Sequence, residues 1–473
     1  MNIKYDEEVC INVPNNRYNE LKRNTIIIAI ANMGSKAISF ILAPLYSFYL
    51  STSQYGAMDL ATTTAGLIMP LLCLDIYEAT FRFASDNKYD DKTVFSSSFS
   101  LSFLMSVIAL IIVGTLNIFI NVPTVVSFSI FSAVVDANYQ VLSQFARGQN
   151  KMGIFALSGV INSLVLFASD ILFLVMLRYG LNGWMIAYII GKVVACLYVM
   201  RAVKINTCFS IKSISKDFYK EAAKYALPLL PTTYLWWVMN ASDRYIIALY
   251  MGTAANGIYA VANKMPSLLS VFENIFYQAW QTSSINALED KNRDRFYSRV
   301  FQNYFSILAL GVLGLLLILK PLTIHIFAHE YKSAWMSTAI LVIGVMFHAL
   351  SGNLGTFYTT FKKTKGALIT AIIGAATNTV LNFILIPYFG LMAAATTTLV
   401  GYVAVLLYRW WDVKKFVKLT ISPVFVVVWM VLITVQFALY YCVGLLSYAV
   451  RAVIVLIALY FNRSLVVKIL KRK

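Results

Sequence analysis

The chain has 473 residues, of which 59% are hydrophobic and 13% charged, with a formal net charge of +18. A soluble domain carries about 25% charged residues, and half of that leaves too little polarity to cover a water-exposed surface, so a soluble multidomain enzyme is excluded. The positive balance invites a nucleic-acid partner, but the placement of the basic residues accounts for it without one.

Residues 1–24 are polar and read as a cytoplasmic N-terminal tail, with no apolar core or cleavage site of a signal peptide. The first span is expected to act as the signal itself. Apolar segments follow at 25–50, 57–81, 95–120, 123–146, 153–177, 181–200, 225–250, 254–280, 301–321, 334–360, 366–387, 391–408, 420–441 and 444–461. About 20 apolar residues in a helix span a hydrocarbon core. Only helices or closed barrels satisfy every backbone group in lipid, and these segments are too long and continuously apolar for barrel strands. The prediction is an all-α polytopic membrane protein of about 14 transmembrane helices.

With the N-terminus inside, 31 of the 39 lysines and arginines fall in cytoplasmic segments, and the outside loops hold Arg178, Lys320 and Lys332. That is the positive-inside asymmetry kept loop by loop. It predicts an even span count, both termini cytoplasmic and a basic cytoplasmic tail at 462–473. Residues 201–224 read as a cytoplasmic linker and 282–300 as a surface-lying one, with Phe296 and Tyr297 among its charges.

The chain also repeats itself. Residues 55–61 (Tyr-Gly-Ala-Met-Asp-Leu-Ala) match 256–262 (Asn-Gly-Ile-Tyr-Ala-Val-Ala), and Tyr179-Gly180-Leu181 matches Phe389-Gly390-Leu391. The first match opens the second span of each half and the other opens the sixth. Two six-helix lobes follow, 25–200 and 225–410, repeated in parallel because six is even, with two further helices at 420–461. Parallel repeats about an axis along the membrane normal are a transporter signature, with the substrate site at the repeat interface.

Residues three, four and seven apart share a helix face. Asn32, Ser35, Lys36 and Ser39 form a polar stripe in the first span. Asp136, Gln140, Ser143 and Arg147 do so in the fourth, and Thr233, Asn240 and Arg244 in the seventh. In the eighth, Asn263, Ser267, Ser270, Asn274 and Gln281 line up, with Lys264 beside them. Polar residues at membrane depth face the bundle or a water-filled cavity, so an aqueous cleft between the lobes is expected, although short Ser, Thr and Asn stripes also join helices. Glu78 and Arg82 read as a solvated ion pair, Arg147 as an interfacial anchor, and Asp243 as a partner for another helix. Glu273 falls on the face opposite Lys264 unless Pro266 bends the helix. His325, His329 and Glu330 lack the rest of a zinc site. His348 suits proton carriage or hydrogen-bonded packing. The five cysteines are odd in number, with no close pair, so neither a disulfide framework nor a metal site is expected. Prolines within spans, among them Pro70, Pro266 and Pro387, are expected to bend helices.

The stretch from Asn24 through Pro44-Leu45, Tyr55-Gly56, Pro70-Leu71-Leu72 to Arg82-Phe83 resembles the opening of Wzx-type polysaccharide (O-antigen) repeat-unit flippases. Asp243-Arg244-Tyr245-Ile246-Ile247, Gly257-Ile258-Tyr259 and the Pro387-Tyr388-Phe389-Gly390-Leu391 turn resemble their second half. The likeness covers nearly the whole chain and extends to the multidrug/oligosaccharidyl-lipid/polysaccharide (MOP) exporter superfamily. It implies a MATE-like fold with alternating access and no cofactor. The implied activity is transfer of undecaprenyl-pyrophosphate-linked oligosaccharide between leaflets of a bacterial inner membrane, beside a polysaccharide polymerase and a chain-length regulator. By location, Lys36 and Lys264 resemble the cationic cleft residues of related flippases.

From this follows the expectation that Lys36, Lys264 and Arg244 hold the pyrophosphate, because charge-assisted hydrogen bonds are strong in a partly desolvated site. Asn32, Ser35, Ser39, Thr233, Asn240, Asn263, Ser267, Ser270 and Asn274 are expected to line the cavity, and Asp59, Asp136 or Asp243 to couple or gate transport. The alternatives are a MATE-like multidrug or cation exporter, a lipid II flippase and, remotely, a membrane-embedded glycan polymerase. The last needs a catalytic outer loop, and the outside loops here are short.

Overall fold

The computed structural model describes residues 33–86, 88–228, 230–361 and 363–463, which among themselves form helices and turns and no strand. In chain order the helices are α1 (33–49), α2 (Thr52–Cys73), α3 (Ile76–Asp86), α4 (Asp91–Phe119), α5 (Thr124–Gly148), α6 (Met152–Asp170, prolonged by a π-helical turn, Ile171–Met176), α7 (Gly180–Val203), α8 (Ile205–Cys208) and α9 (Lys216–Ala226). They continue with α10 (Leu230–Ala262), α11 (Pro266–Asn286), α12 (Arg293–Ile326), α13 (Ala334–Thr360), α14 (Thr364–Val413), α15 (Pro423–Tyr441) and α16 (Leu445–Phe461).

Two of these are doubled helices. The backbone leaves the helical region at Gly252 (φ 84°) inside α10 and at Gly390 (φ 61°) inside α14, so each comprises two arms. A side chain at such a φ clashes with its own backbone, and glycine avoids the clash. Gly180, at the head of α7 in the matching Tyr179-Gly180-Leu181, also has a positive φ of 55°. The repeat in sequence is therefore a repeat in backbone demand. With the arms separated, the membrane-crossing segments are α1, α2 with α3, α4, α5, α6, α7, two from α10 (the second continued by α11), α12, α13, two from α14, α15 and α16, in the predicted order.

Both broken spans break near a proline. Pro70 removes a donor near the end of α2, which closes on Leu74 and Asp75, both in the left-handed region. The second arm of α10 stops at Ala262, and Pro266 takes the first turn of α11, where its missing N–H costs nothing.

Helices α2 to α7 pack as one lobe and α10 to α14 as the other; α15 and α16 lie against α12. Gln436 Nε2 donates to the Leu313 carbonyl at 3.1 Å, and the fully buried Arg451 donates to that of Leu316 at 3.1 Å. The lobes meet along α2 and α10. At one end of this seam Ser53 Oγ lies 2.7 Å from Thr253 Oγ1, and Asn256 Nδ2 donates to the Gly56 carbonyl at 3.1 Å. At the same end Tyr331 donates to the Leu50 carbonyl at 2.8 Å and the Ala328 N–H to Ser47 Oγ at 3.1 Å, so the loop after α12 covers the joint between α1 and α2.

Several local expectations change. Residues 282–300 are not a surface linker: α11 runs to Asn286, α12 starts at Arg293, and Tyr297 is fully buried with its hydroxyl on the Ser284 carbonyl at 2.7 Å. Arg82 pairs with Asp86 at 3.3 Å rather than with Glu78, because both spacings share its face. Lys320 is no loop residue but lies inside α12, its ammonium 4.1 Å from the Trp335 ring centre. The segment after α7 is partly ordered as α9, whose Phe218, Ala222 and Ala226 pack inward. Lys88 ties it down with a 2.7 Å bond to Glu221, which holds that carboxyl below its usual range.

Candidate functional site

A cavity of about 650 Å³ lies between α1, α2, α10 and α11. Lys36, Arg244 and Lys264 all reach it, together with Asp59. The four come from elements that the repeat brings side by side: Asp59 stands three residues past Gly56, and Lys264 sits in the break between α10 and α11. Arg244 Nε lies 2.9 Å from Asp59 Oδ2, and the two side chains are 19% and 14% exposed. Arg244 also donates to the Asn240 carbonyl at 2.7 Å, and Asp59 accepts from Asn256 Nδ2 at 3.3 Å.

The charges are therefore unequal. Asp59 is taken up by Arg244, while among the described residues neither Lys36 nor Lys264 has a carboxylate within 4.0 Å. Two ammonium groups face the cavity without a direct salt bridge to any described residue. Ser39, Asn263 and Ser267 add polar groups to the wall, and Met33, Phe40, Leu268 and Val271 add apolar surface. In chemical terms the site offers an anion two free cations, a third held in a fixed ion pair, and hydroxyl and amide groups beside them.

The other expected residues divide. Asn32 lies outside the described residues. Ser35 is turned toward α6, its Oγ close to Gly159. Thr233 lies beside Asp75, away from the cavity. Asn240 is a support: its Oδ1 accepts from Tyr402 at 2.8 Å while its carbonyl holds Arg244. Ser270 and Asn274 bond within α11, Nδ2 to carbonyl at 2.8 Å, and are not in the cavity wall. Asp136 is 2.8 Å from Lys192 Nζ and accepts from Tyr188 at 2.9 Å, inside the first lobe. Asp243 is buried and accepts from Tyr259 at 2.6 Å. Its partner is thus a tyrosine on the other arm of its own doubled helix. The stripe rule fails for these residues because a polar face serves equally to bond neighbouring helices.

Sequence reasoning named Glu273 and His348 but not their pairing, and passed over several other groups. Lys192, an intramembrane cation four residues after Tyr188, is the partner of Asp136 and was detectable as such. Glu273, on α11, lies 2.8 Å from His348 Nδ1 on α13, with Trp236 and Tyr402 against the imidazole. Asp170 accepts from Tyr46 at 2.6 Å. Asn378, Asn382, Thr397, Thr398 and Ser242 form one hydrogen-bonded knot joining α10 to both arms of α14. Arg409, near the end of α14, is buried with its guanidinium on Thr370 Oγ1 and the Ser351 carbonyl.

The comparisons with known proteins agree with this architecture. The family described as polysaccharide biosynthesis protein matches residues 21–281, more than half of the chain. The chain belongs to that family, and the Wzx-type resemblance fits it. An uncharacterized membrane protein of Methanocaldococcus jannaschii is 20% identical over 412 residues, covering 82% of this chain and 96% of the relative. The solved lipid II flippase MurJ, in an inward closed conformation, superposes with a TM-score of 0.72 at 15% identity, covering 93% of this chain and all of that one. An inward-facing multidrug resistance MATE transporter of the MOP superfamily gives 0.63 at 15% identity, with 83% and 98% covered. The fold is that of MOP-superfamily transporters, in a multi-pass membrane protein.

Proposed function

We propose that the chain is a flippase that carries an undecaprenyl-pyrophosphate-linked oligosaccharide repeat unit, O-antigen or another surface glycan, from the inner to the outer leaflet by alternating access. The observation that carries this reading is the pair of uncompensated cations, Lys36 and Lys264, beside the Asp59–Arg244 pair in a cavity at the lobe interface. A pyrophosphate brings two or more negative charges, and cations in a partly desolvated site favour it through charge-assisted bonds. Ser39, Asn263 and Ser267 suit the hydroxyl-rich sugars. An apolar groove of about 430 Å³ between α15 and α16, walled by Val424, Phe425, Val428, Trp429, Leu432 and Phe461, suits a polyprenyl tail. The closed seam at Ser53 and Thr253 fits a state sealed at one end.

The lysines and arginines support a bacterial inner-membrane orientation with both ends cytoplasmic, beside the polymerase and chain-length regulator that would use the product. A cation exporter is disfavoured, because three basic groups against one carboxylate repel a cationic drug. Such a protein performs no bond chemistry of its own.

The test is deletion of the gene in a host of known surface glycan, with staining of the glycan and extraction of lipid-linked intermediates. Loss of surface glycan with repeat units accumulating on the inner leaflet is expected. Unchanged glycan with raised dye or drug sensitivity would replace this reading with the exporter.

A further inference from the structure

A second cavity, of about 690 Å³, opens where α13 turns into α14 and where α14 ends. We propose that it binds the phosphate headgroup of an anionic phospholipid of the surrounding bilayer. This assignment is independent of the transported substrate.

Three lysines, Lys363, Lys365 and Lys415, line the cavity against one carboxylate, Asp412. Both oxygens of that carboxylate are already engaged: its Oδ1 is 2.7 Å from Lys415 Nζ and its Oδ2 accepts from Tyr358 at 2.9 Å. Among the described residues Lys363 and Lys365 have no carboxylate within 4.0 Å. The cavity thus holds two uncompensated ammonium groups and a third whose position Asp412 fixes. Lys363 precedes the first turn of α14 without a side-chain cap, which adds the positive end of the helix dipole to the same mouth. Gly366 lets this turn approach the Tyr358 ring; a Cβ there would come within 2.3 Å of a ring carbon. The anchor of Asp412 and the start of α14 are therefore packed together.

A soluble anion needs only the charges. The second observation is the apolar surface leading away from them. Ile369 lines the cavity and is 43% exposed; Ile372, one turn further, and Leu407 on the returning arm are also exposed. Trp411 stands exposed beside them with Lys415 Nζ 4.1 Å from its ring centre, the arrangement of an aromatic at the headgroup level. Cations at the mouth and exposed apolar side chains on both arms of α14 match a phospholipid: phosphate at the lysines, acyl chains along α14. Basic pockets between transmembrane helices bind anionic lipid headgroups on the same physical basis.

The experiment is native mass spectrometry of the full chain with phosphatidylglycerol, phosphatidylcholine or inorganic phosphate as probe. Wild-type protein is expected to retain phosphatidylglycerol in preference to phosphatidylcholine. The triple variant Lys363→Gln, Lys365→Gln, Lys415→Gln should lose that preference by about fivefold per lysine. Lys204→Gln, Lys212→Gln, Lys216→Gln, the same charge change elsewhere, should keep it. A Lys→Arg triple should bind as wild type and shows that the site tolerates substitution. Equal loss in the two glutamine triples would reduce the effect to overall surface charge and overturn the proposal. So would retention of inorganic phosphate alone with no effect of Ile369→Ser and Leu407→Ser on phosphatidylglycerol, since the site would then take a soluble anion.

Discussion

Gly56 and Gly257 stand face to face where α2 crosses the second arm of α10, and each approaches the other helix's backbone too closely for any side chain. A Cβ on Gly56 would fall 1.8 Å from the Thr253 carbonyl oxygen, and one on Gly257 2.0 Å from that of Thr52. They are the glycines of the two matching heptapeptides, so the internal repeat is also the contact between its own copies. Neither neighbour is a flexible side chain that can swing away. Gly56→Ala and Gly257→Ala should each push the helices apart, at an overpacking cost of about 1–3 kcal/mol in the closed state. Paired cysteines at Ser53 and Thr253 report the distance directly. Disulfide formation should be fast in the wild-type background and slowed in either alanine variant. Equal rates in all three would show that the seam is not held by the glycines.

The cavity predicts a graded set of charge effects. Lys36→Ala and Lys264→Ala should each abolish most surface glycan while the protein still inserts at normal levels, because each removes a cation that nothing else replaces. Asp59→Asn differs in kind. It frees Arg244 and leaves a largely buried guanidinium without its carboxylate partner; removing one member of a buried pair costs about 3–5 kcal/mol. Asp59→Asn with Arg244→Gln should recover thermal stability without recovering transport. Wild-type glycan from both lysine variants would sink the pyrophosphate assignment.

How far these features were legible in the sequence follows from the kind of signal each leaves. Span order and the parallel repeat were readable, because lipid demands long apolar helices and each tight turn demands glycine; Gly180 and Gly390 meet that demand at matching places. Lys36, Arg244 and Lys264 were readable as costly charges at membrane depth. Which of the three cations takes the nearest carboxylate was not, because periodicity places residues on a face and says nothing of the helix opposite. Asp136 and Asp243 show the limit. Both were expected near the cleft, and each instead satisfies a group within its own lobe, Lys192 and Tyr259. Burial of Arg409 escaped for a related reason, since a cation at a span's end is solvated or packed according to a neighbouring helix that sequence does not name.

The turn glycines give a prediction that separates strain from packing. Gly390 has φ 61° and ψ −139°, a region that L-residues enter at a cost of about 1–3 kcal/mol. A Cβ there would meet only the end of the Met251 side chain, at 3.0 Å, so strain and not collision dominates. Gly390→Ala should lower Tm, and adding Met251→Ala should restore little of it. Full restoration by the second change would mean that crowding was the cause.

Asp136 and Lys192 give the last test, and it distinguishes a structural pair from a coupling one. Their side chains are 16% and 17% exposed and 2.8 Å apart, with Tyr188 also donating to the carboxylate and the Lys192 ammonium 4.9 Å from the Tyr139 ring centre. Lys192→Met strands a carboxylate beside only a tyrosine and should destabilise by about 3–5 kcal/mol, as should Asp136→Leu for the opposite reason. The double variant Asp136→Leu, Lys192→Met removes both charges at once. Replacing a buried pair by apolar groups of similar size is often neutral or stabilising, so thermal unfolding should return near wild type. If glycan export returns with it, the pair holds α5 to α7 and does no more. If stability returns and export does not, the charges themselves take part in the transport cycle.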